Sequence, residues 1–587
     1  TGPFSSYTEP YRKRMFLGAA AIAVSQVAAA CIPLILSSAV DSLAAEGASP
    51  EELLRGVRRY LLQMFLLALV VAAGGYSMRR LLGTMSTRIE YDIRRTYFAH
   101  LVRMPLSFFQ RHRTGDLMAR ATNDLNAVSV FFTYGLRSLI ELVLILAFSL
   151  AMMSVIHWKL TLIVLVPLPV LCLVTVRMSS LVHNRFRSIQ DCFGDISNFV
   201  QESLAGIRVV KSFVLGGPRT EAFDRLNSEY LAHNHRYIRA RALFRPLSLT
   251  IASFGLGINL LFGGREVIAG TLSIGDFVAF NAYLTLLIRP ISYSGWVIDR
   301  LQRALVAIRR IDEILSHEPE SAGDSRASGR SRAAPATATM AGAVHWQGVD
   351  FSYDGQPVLS GIELYLPAGK TLGVIGRVGA GKSTLARLPP RLIEPQRGTV
   401  TIDGKSVSEW PLEELRRSIG YVSQQPFLFS TSVAGNIAYG VESAADARIR
   451  EAATRSLLDR DIEELEEGLA TVIGERGVTL SGGQKQRCTL ARALLREPRI
   501  LILDDALSAV DTQTEEAILG YLREAMRGRT TIVIAHRIST LRHADLIVTL
   551  DDGRIVESGD HESLERAGGL YSELHERQQL SAELESL

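Results

Sequence analysis

The chain is 587 residues long, which is too long for one hydrophobic core and points to two or more domains. Hydrophobic residues make up 47% of it, the level that a membrane half joined to a soluble half would give. Its 64 basic and 60 acidic residues leave a net charge of +4, a near-balance that excludes the concentrated basic face of a nucleic-acid binder.

In chain order, Arg12-Lys13-Arg14 precede the first long apolar run. That is the pattern of a start-transfer helix whose positive cluster stays inside, rather than of a cleaved signal peptide. Tyr7–Arg14 mixes aromatics and cations, as in a short segment lying flat at an interface. A membrane-spanning helix needs about 20 mostly apolar residues. Six runs qualify: Phe16–Val40, Tyr60–Met78, Leu142–Trp158, Leu160–Val176, Pro246–Gly264 and Phe277–Ile298. The third and fourth are separated by Lys159 alone, which implies a tight hairpin. The even number puts both ends of this half on one side. Arg79–Phe131 and Arg177–Arg245 are long, charged and mostly free of Pro and Gly, with apolar residues at helical spacing. They read as spanning helices extended beyond the membrane, with cross-pieces near Arg111–Asp116 and Gly216–Thr220, where Gly and Pro break the pattern.

Polar residues inside the spans mark a candidate substrate path: Glu141, Asn259, Asn281 and Arg289. Arg137 lies four residues before Glu141 on the same helical face and can pair with it. Met152-Met153 reads as packing. The four cysteines, Cys31, Cys172, Cys192 and Cys488, have no paired spacing, so neither a zinc site nor a disulfide framework is expected.

Glu318–Ala343 is rich in Ser, Ala, Gly, Arg and Pro and reads as a flexible connector. From Val344 short β-branched runs alternate with helices, as in a parallel-sheet α/β domain. Thr371–Ile375 is a buried strand, and Gly376-Arg377-Val378-Gly379-Ala380-Gly381-Lys382-Ser383 follows it, with Thr384 opening a helix. This is the P-loop in its required strand–loop–helix context. Its glycines let backbone N–H groups close around phosphate oxygens, Lys382 reaches the β- and γ-phosphates, and Ser383 offers a hydroxyl to Mg²⁺. Ile500–Leu503 is an apolar strand ending in Asp504-Asp505. A carboxylate there orients Mg²⁺ or its water, and the next residue is where the attacking water is positioned. Pro389-Pro390 fall in the helix after the P-loop and must end or kink it. Between the motifs, Leu480-Ser481-Gly482-Gly483-Gln484 opens the helix Lys485–Arg496 and makes a second anion site.

Leu480–Gln484 is similar to the signature of ATP-binding cassette proteins, and the ordered set of P-loop, signature, Asp504 and His536 resembles that family throughout. The whole chain resembles exporters that carry one six-helix half and one nucleotide-binding domain, most closely the multidrug and lipid exporters. The implied domains are a transmembrane domain over 1–318, a linker over 319–342, an α/β P-loop domain over 343–577 and a tail over 578–587. The resemblance implies that Tyr353 stacks on adenine, that Gln424 contacts Mg²⁺ and senses the membrane half, and that His536 holds the γ-phosphate. It also implies that Ser508–Asp511 meets the partner and that Thr471–Gly477 touches the cross-pieces. ATP then lies between one chain's P-loop and another's Ser481–Gln484, so the chain must dimerise in a bacterial inner membrane with the ATP domain in the cytosol.

Where the family usually has Glu after the strand-end Asp, this chain has Asp505. Its carboxylate stands back by roughly 1.5 Å, and a misplacement of about 1 Å can cost on the order of 100-fold in rate. The expectation is a chain whose own P-loop site hydrolyses slowly and whose partner is a different half-transporter with Glu at that place and an altered signature. The substrates expected are amphipathic drugs, lipids or peptides. The alternatives are a homodimeric lipid or drug flippase and a nucleotide-gated channel or regulatory subunit.

Overall fold

The computed structural model of the chain describes residues 5–44, 49–320, 340–441, 443–474, 480–506 and 512–586. It divides into two compact units, Thr1–Val102 with His112–His317, and Arg103–Arg111 with Glu318–Leu587.

The first unit is helical. Arg12–Ala44, Pro50–Leu101, Leu136–Leu165, Pro167–Ala205, Gly216–Ile258 and Ile274–Leu315 are its long helices. The second starts where it does because Ser49 and Glu52 form a capping box ahead of Pro50. Among the described residues five segments are long and apolar enough to cross a membrane: Glu9–Ala44, Pro50–Leu101, Thr114–Leu165, Leu249–Ile268 and Ile274–Leu315. The expected fourth span runs through Trp158–Leu165 and Pro167–Ala205, and part of its side chains lies outside the described residues. The hairpin before it turns at His157, which leaves helical geometry at φ −159° and ψ 96°. Its Nδ1 accepts the Leu160 N–H at 3.1 Å, and Thr161 Oγ1 donates to its carbonyl at 3.0 Å, so one residue ends a helix and caps the next. Large apolar side chains such as Phe16 and Phe65 are exposed on these helices, as lipid-facing residues must be. Met153 is buried, in keeping with packing.

Tyr7–Arg14 is a short helical segment. It continues into the first span and is tied to other helices by the Tyr7 hydroxyl on Asp312 and the Tyr11 hydroxyl on Asp92 at 2.6 Å. At the base of the unit, buried Arg120 donates to Asp116 at 2.9 Å, Glu313 at 2.8 Å and the Arg310 carbonyl at 2.6 Å. Arg310 in turn meets Asp116 and Asp124. Such a network holds the end of Ile274–Leu315 because removing one partner strands a buried charge.

The cross-pieces lie earlier than the sequence pattern placed them. Their helices are Leu106–Arg111 and Ile207–Ser212. Pro105 and Gly206 make the breaks, whereas Gly216-Gly217-Pro218 opens the next long helix, where Pro is tolerated.

In the second unit, strand β1 is Val344–Tyr353, β2 Gln356–Leu366, β3 Thr371–Gly376, β4 Arg397–Ile402 and β5 Lys405–Ser406. Then come β6 Ile419–Val422, β7 Ile500–Asp504, β8 Thr530–Ile534, β9 Leu546–Asp551 and β10 Arg554–Gly559. The expectation of a parallel α/β sheet is met by β9-β3-β8-β7-β6, edged by antiparallel β10. It omitted a separate antiparallel sheet, β2-β1-β4-β5. The central strands β7 and β8 are buried at every position, as parallel strands covered on both faces must be.

The helix Lys382–Arg387 ends early, before Pro389-Pro390. The carbonyls that follow are used by Arg416, which donates to Pro390 O at 3.2 Å and Arg391 O at 2.9 Å. Most of the connector, 321–339, lies outside the described residues, but its ends are fixed. Glu320 pairs with Arg416 through two bonds, and Asp403 accepts from the N–H groups of Ala341, Gly342 and Ala343. The stretch read as a tail is not separate either: Leu570–Ser586 is one helix of this unit. Trp346 is fully buried between the two sheets' residues, packed with Val374, Leu385 and Ile402 in one core. Trp346→Ala is expected to cost about 3–5 kcal/mol and to lower the melting midpoint of the ATP unit by roughly 6–20 °C in a thermal scan of the full chain.

Candidate functional site

The parallel sheet places β3 between β9 and β8, so the loops leaving β3, β7 and β8 converge at one sheet edge. Ligand crevices of open α/β sheets form there. The loop after β3 needs glycine at its entrance and exit. A Cβ on Gly376 would stand 2.1 Å from Leu550 O, and one on Gly381, at φ +95°, would stand 2.8 Å from Val358 O. With side chains excluded, backbone N–H groups can approach a phosphate.

Lys382 is buried and its ammonium spans the loop, donating to Gly376 O at 2.8 Å and Arg377 O at 2.7 Å. Burial lowers its pKa from the ordinary lysine value, against the opposing pull of Asp505 and Asp504. A phosphate entering the loop therefore meets a poorly solvated cation, which strengthens the attraction. Ser383 Oγ donates to Asp504 Oδ1 at 2.7 Å, and the Tyr421 hydroxyl donates to Asp504 Oδ2 at 3.0 Å. Burial and Asp504 push the Tyr421 pKa up, so the phenol stays a donor. Asp504 is 1% exposed, and both its oxygens are engaged.

Asp505 sits in the left-handed region at φ +51°, anchored by its N–H on Ile534 O at 2.9 Å. That turn aims its carboxylate at Gln424 Nε2, 3.4 Å away, and at His536 Nε2, 4.0 Å away. The structure thus gathers Lys382, Ser383, Gln424, Asp504, Asp505 and His536. Asp511 and the rest of Ser508–Asp511 lie outside the described residues, as do residues 475–477 of the Thr471–Gly477 stretch. Tyr353 ends β1 with its ring edge-on to Phe351 and its hydroxyl accepting from Arg387 at 3.4 Å. Of the loop's own side chains, Val378 is exposed, while Ala380 and Thr384 are buried.

The second anion site is a capped helix start. Ser481 Oγ accepts the Gln484 N–H at 3.2 Å, and Gln484 Oε1 accepts the Ser481 N–H at 2.9 Å. The helix runs Gly482–Leu495, three residues earlier at its start than the sequence pattern indicated, because the box places the N-cap at Ser481. Leu480 and Cys488 pack in a core with Val433 and Ile437, apart from the core beneath the P-loop.

Two residues here carry no motif. Asp461 accepts from Gln484 at 3.2 Å and from Arg487 through both its oxygens, fixing the capped helix. Gln578 Nε2 donates to His536 O at 2.6 Å while its Oε1 accepts the Ile538 N–H at 3.0 Å. One side-chain amide thus clamps the backbone on both sides of Arg537. Only tertiary structure brings these partners together, so no local sequence signal could reveal them.

The polar membrane residues behave singly. Glu141 pairs with Arg137 at 2.8 Å, and Asn281 donates to Phe277 O on its own helix at 3.1 Å. Asn259 is fully buried in a π-helical turn, Asn259–Gly263, and its side chain has no hydrogen-bond partner among the described residues. The Arg289 side chain lies outside the described residues.

Gln578→Ala is expected to speed hydrogen exchange of the Ile538 amide by roughly 2–10-fold, the worth of a net hydrogen bond. Mass spectrometry of peptides covering residues 534–541 reads this, and unchanged exchange would show the clamp to be idle.

The comparisons with known proteins agree with this geometry. The ABC transporter transmembrane region family matches residues 15–291, and the ABC transporter family matches residues 359–508. A probable multidrug resistance ABC transporter ATP-binding/permease protein of Bacillus subtilis is 35% identical, over 93% of this chain and 92% of its own. An ATP-dependent lipid A-core flippase of Aromatoleum aromaticum is 36% identical, over 90% of this chain and 86% of its own. A solved bacterial Atm1-family ABC exporter with ATP bound superposes with a TM-score of 0.80 at 26% identity, covering 97% of this chain and 98% of that one. The chain therefore belongs to the ABC transporter family, as an exporter that joins a membrane region and an ATPase domain in one polypeptide.

Proposed function

We propose that the chain exports amphipathic substrates, lipids or drugs foremost, as one subunit of a dimer whose own P-loop site hydrolyses ATP slowly. The observation that carries the slow-site reading is Asp505, a short carboxylate at the place where the attacking water is held, 3.4 Å from Gln424 and 4.0 Å from His536. Ser383, Asp504 and Gln424 would hold Mg²⁺, since the hydroxyl and carboxylate already lie 2.7 Å apart and both are the oxygen donors that this hard cation takes. Held by these residues, the ion would supply positive charge against the phosphates. Lys382 and the loop N–H groups bind the phosphates, Tyr353 receives adenine, Asp505 orients the water and His536 faces the γ-phosphate.

Two further surfaces support a dimer. The cross-piece Ile207–Ser212 leads into Phe213 and Val214, which are 71% and 84% exposed. Val214 also stands at φ +54°, a strained conformation for a β-branched residue. In the ATPase unit, Phe429 stacks on Tyr439 at 4.1 Å beneath Arg492, beside exposed Phe427. Apolar surfaces of this kind mark places that a second subunit covers.

A second reading, the homodimeric flippase, is favoured by the same site seen differently. The Asp505 carboxylate is oriented toward its expected neighbours, and the relative named a lipid A-core flippase aligns over 86% of its length.

Inside-out membrane vesicles test the export reading. Cells making the chain together with its partner half-transporter should yield vesicles that accumulate an amphipathic fluorescent tracer with ATP, and Ser481→Arg in this chain should abolish it. Nucleotide-dependent ionic current without accumulation would instead establish the channel reading.

A further inference from the structure

A cavity of about 530 Å³ lies between the helix Thr512–Met526, strand β8 and the segment after His536. That volume falls within the roughly 300–1,000 Å³ of small-molecule sites. Leu519, Leu522, Met526 and Val533 give it an apolar wall. Its mouth is cationic. Arg523 and Arg527, both exposed and one helical turn apart, line the same side. The acid at that edge, Asp545, is already bound by Lys370 at 2.8 Å and by the Thr371 N–H at 2.8 Å. His543 also lines the mouth, and burial together with Arg523 and Arg542 lowers its pKa, so the positive charge there belongs to the arginines. Asp505 and His536 also line the cavity.

We infer that this cavity is a binding site for an amphipathic organic anion of the fatty-acid class, with its tail among Leu519, Leu522, Met526 and Val533 and its head on Arg523 and Arg527. Apolar burial supplies the affinity, and the two guanidinium groups select the sign of the head. Occupancy fixes the segment Ala535–Ala544, which carries His536, against the helix Thr512–Met526, and so restrains a residue facing Asp505. The inference goes beyond the export reading and does not depend on catalysis.

Hydrogen exchange of the full chain in nanodiscs tests it, with dodecanoate as the probe. Dodecanoate should protect peptides spanning 519–528 and 535–545, whereas dodecylammonium at the same concentration should not. Ala544→Trp, which fills the cavity, should abolish the protection. Arg523→Glu with Arg527→Glu, on the exposed surface where folding is not at stake, should raise the half-protecting concentration about tenfold or more, the equivalent of about 1.4 kcal/mol. Unchanged exchange, an unchanged half-protecting concentration in the double charge variant, or equal protection by the amine would each overturn the inference.

Discussion

The Asp504 carboxylate holds the ATPase site together. It ends β7, takes a hydrogen bond from Ser383 on the P-loop helix, and takes another from Tyr421 at the end of β6. Three parts of the sheet edge, those after β3, β7 and β6, are thereby set relative to one another. A buried carboxylate bears this only because both oxygens are satisfied. Once it is fixed, Asp505 has little choice of direction. Its N–H is tied to β8, its φ is left-handed, and its side chain meets Gln424 and His536.

Around that edge, several segments are tied by a charged or amide side chain in addition to their apolar packing. The connector leaves through Glu320 on Arg416 and re-enters through Asp403 on three backbone N–H groups. The capped signature helix rests on Asp461, and the backbone beside His536 rests on Gln578. Each such directional bond is worth about 1 kcal/mol net, far less than the apolar core under the sheet. Arg111 on the first cross-piece touches Asp354, next to Tyr353, at 3.5 Å. That pair is highly exposed, so it adds little to stability.

Much of this was legible in the sequence where the physics is local. The glycine turns of Gly376–Ser383 and the helix start at Ser481–Gln484 were legible because glycine conformations and a capping box depend on residues within one turn. The hairpin at His157–Lys159 read correctly because a lone cation between apolar runs leaves no room for a longer loop. The cross-pieces were displaced because Gly and Pro open helices as readily as they end them, and Gly216-Gly217-Pro218 does the former. The antiparallel sheet was missed because β1 and β2 are separated by a tight turn at Asp354-Gly355, and pairing partners are not encoded in the runs themselves. Gln578 was assigned to a tail, since nothing near it announces a contact 42 residues away. Pro389-Pro390 announced a helix end, and the structure supplied its consequence in the carbonyls that Arg416 takes up.

The central claim is that Asp505 limits the rate at this chain's own P-loop. The steady-state ATPase rate of the chain purified alone in nanodiscs tests it most directly, read beside Asp505→Glu. The account predicts a rate near background that the longer carboxylate raises by about 10–100-fold. A robust rate in the unaltered chain, abolished by Lys382→Ala and no higher in Asp505→Glu, would contradict it and establish a working homodimer.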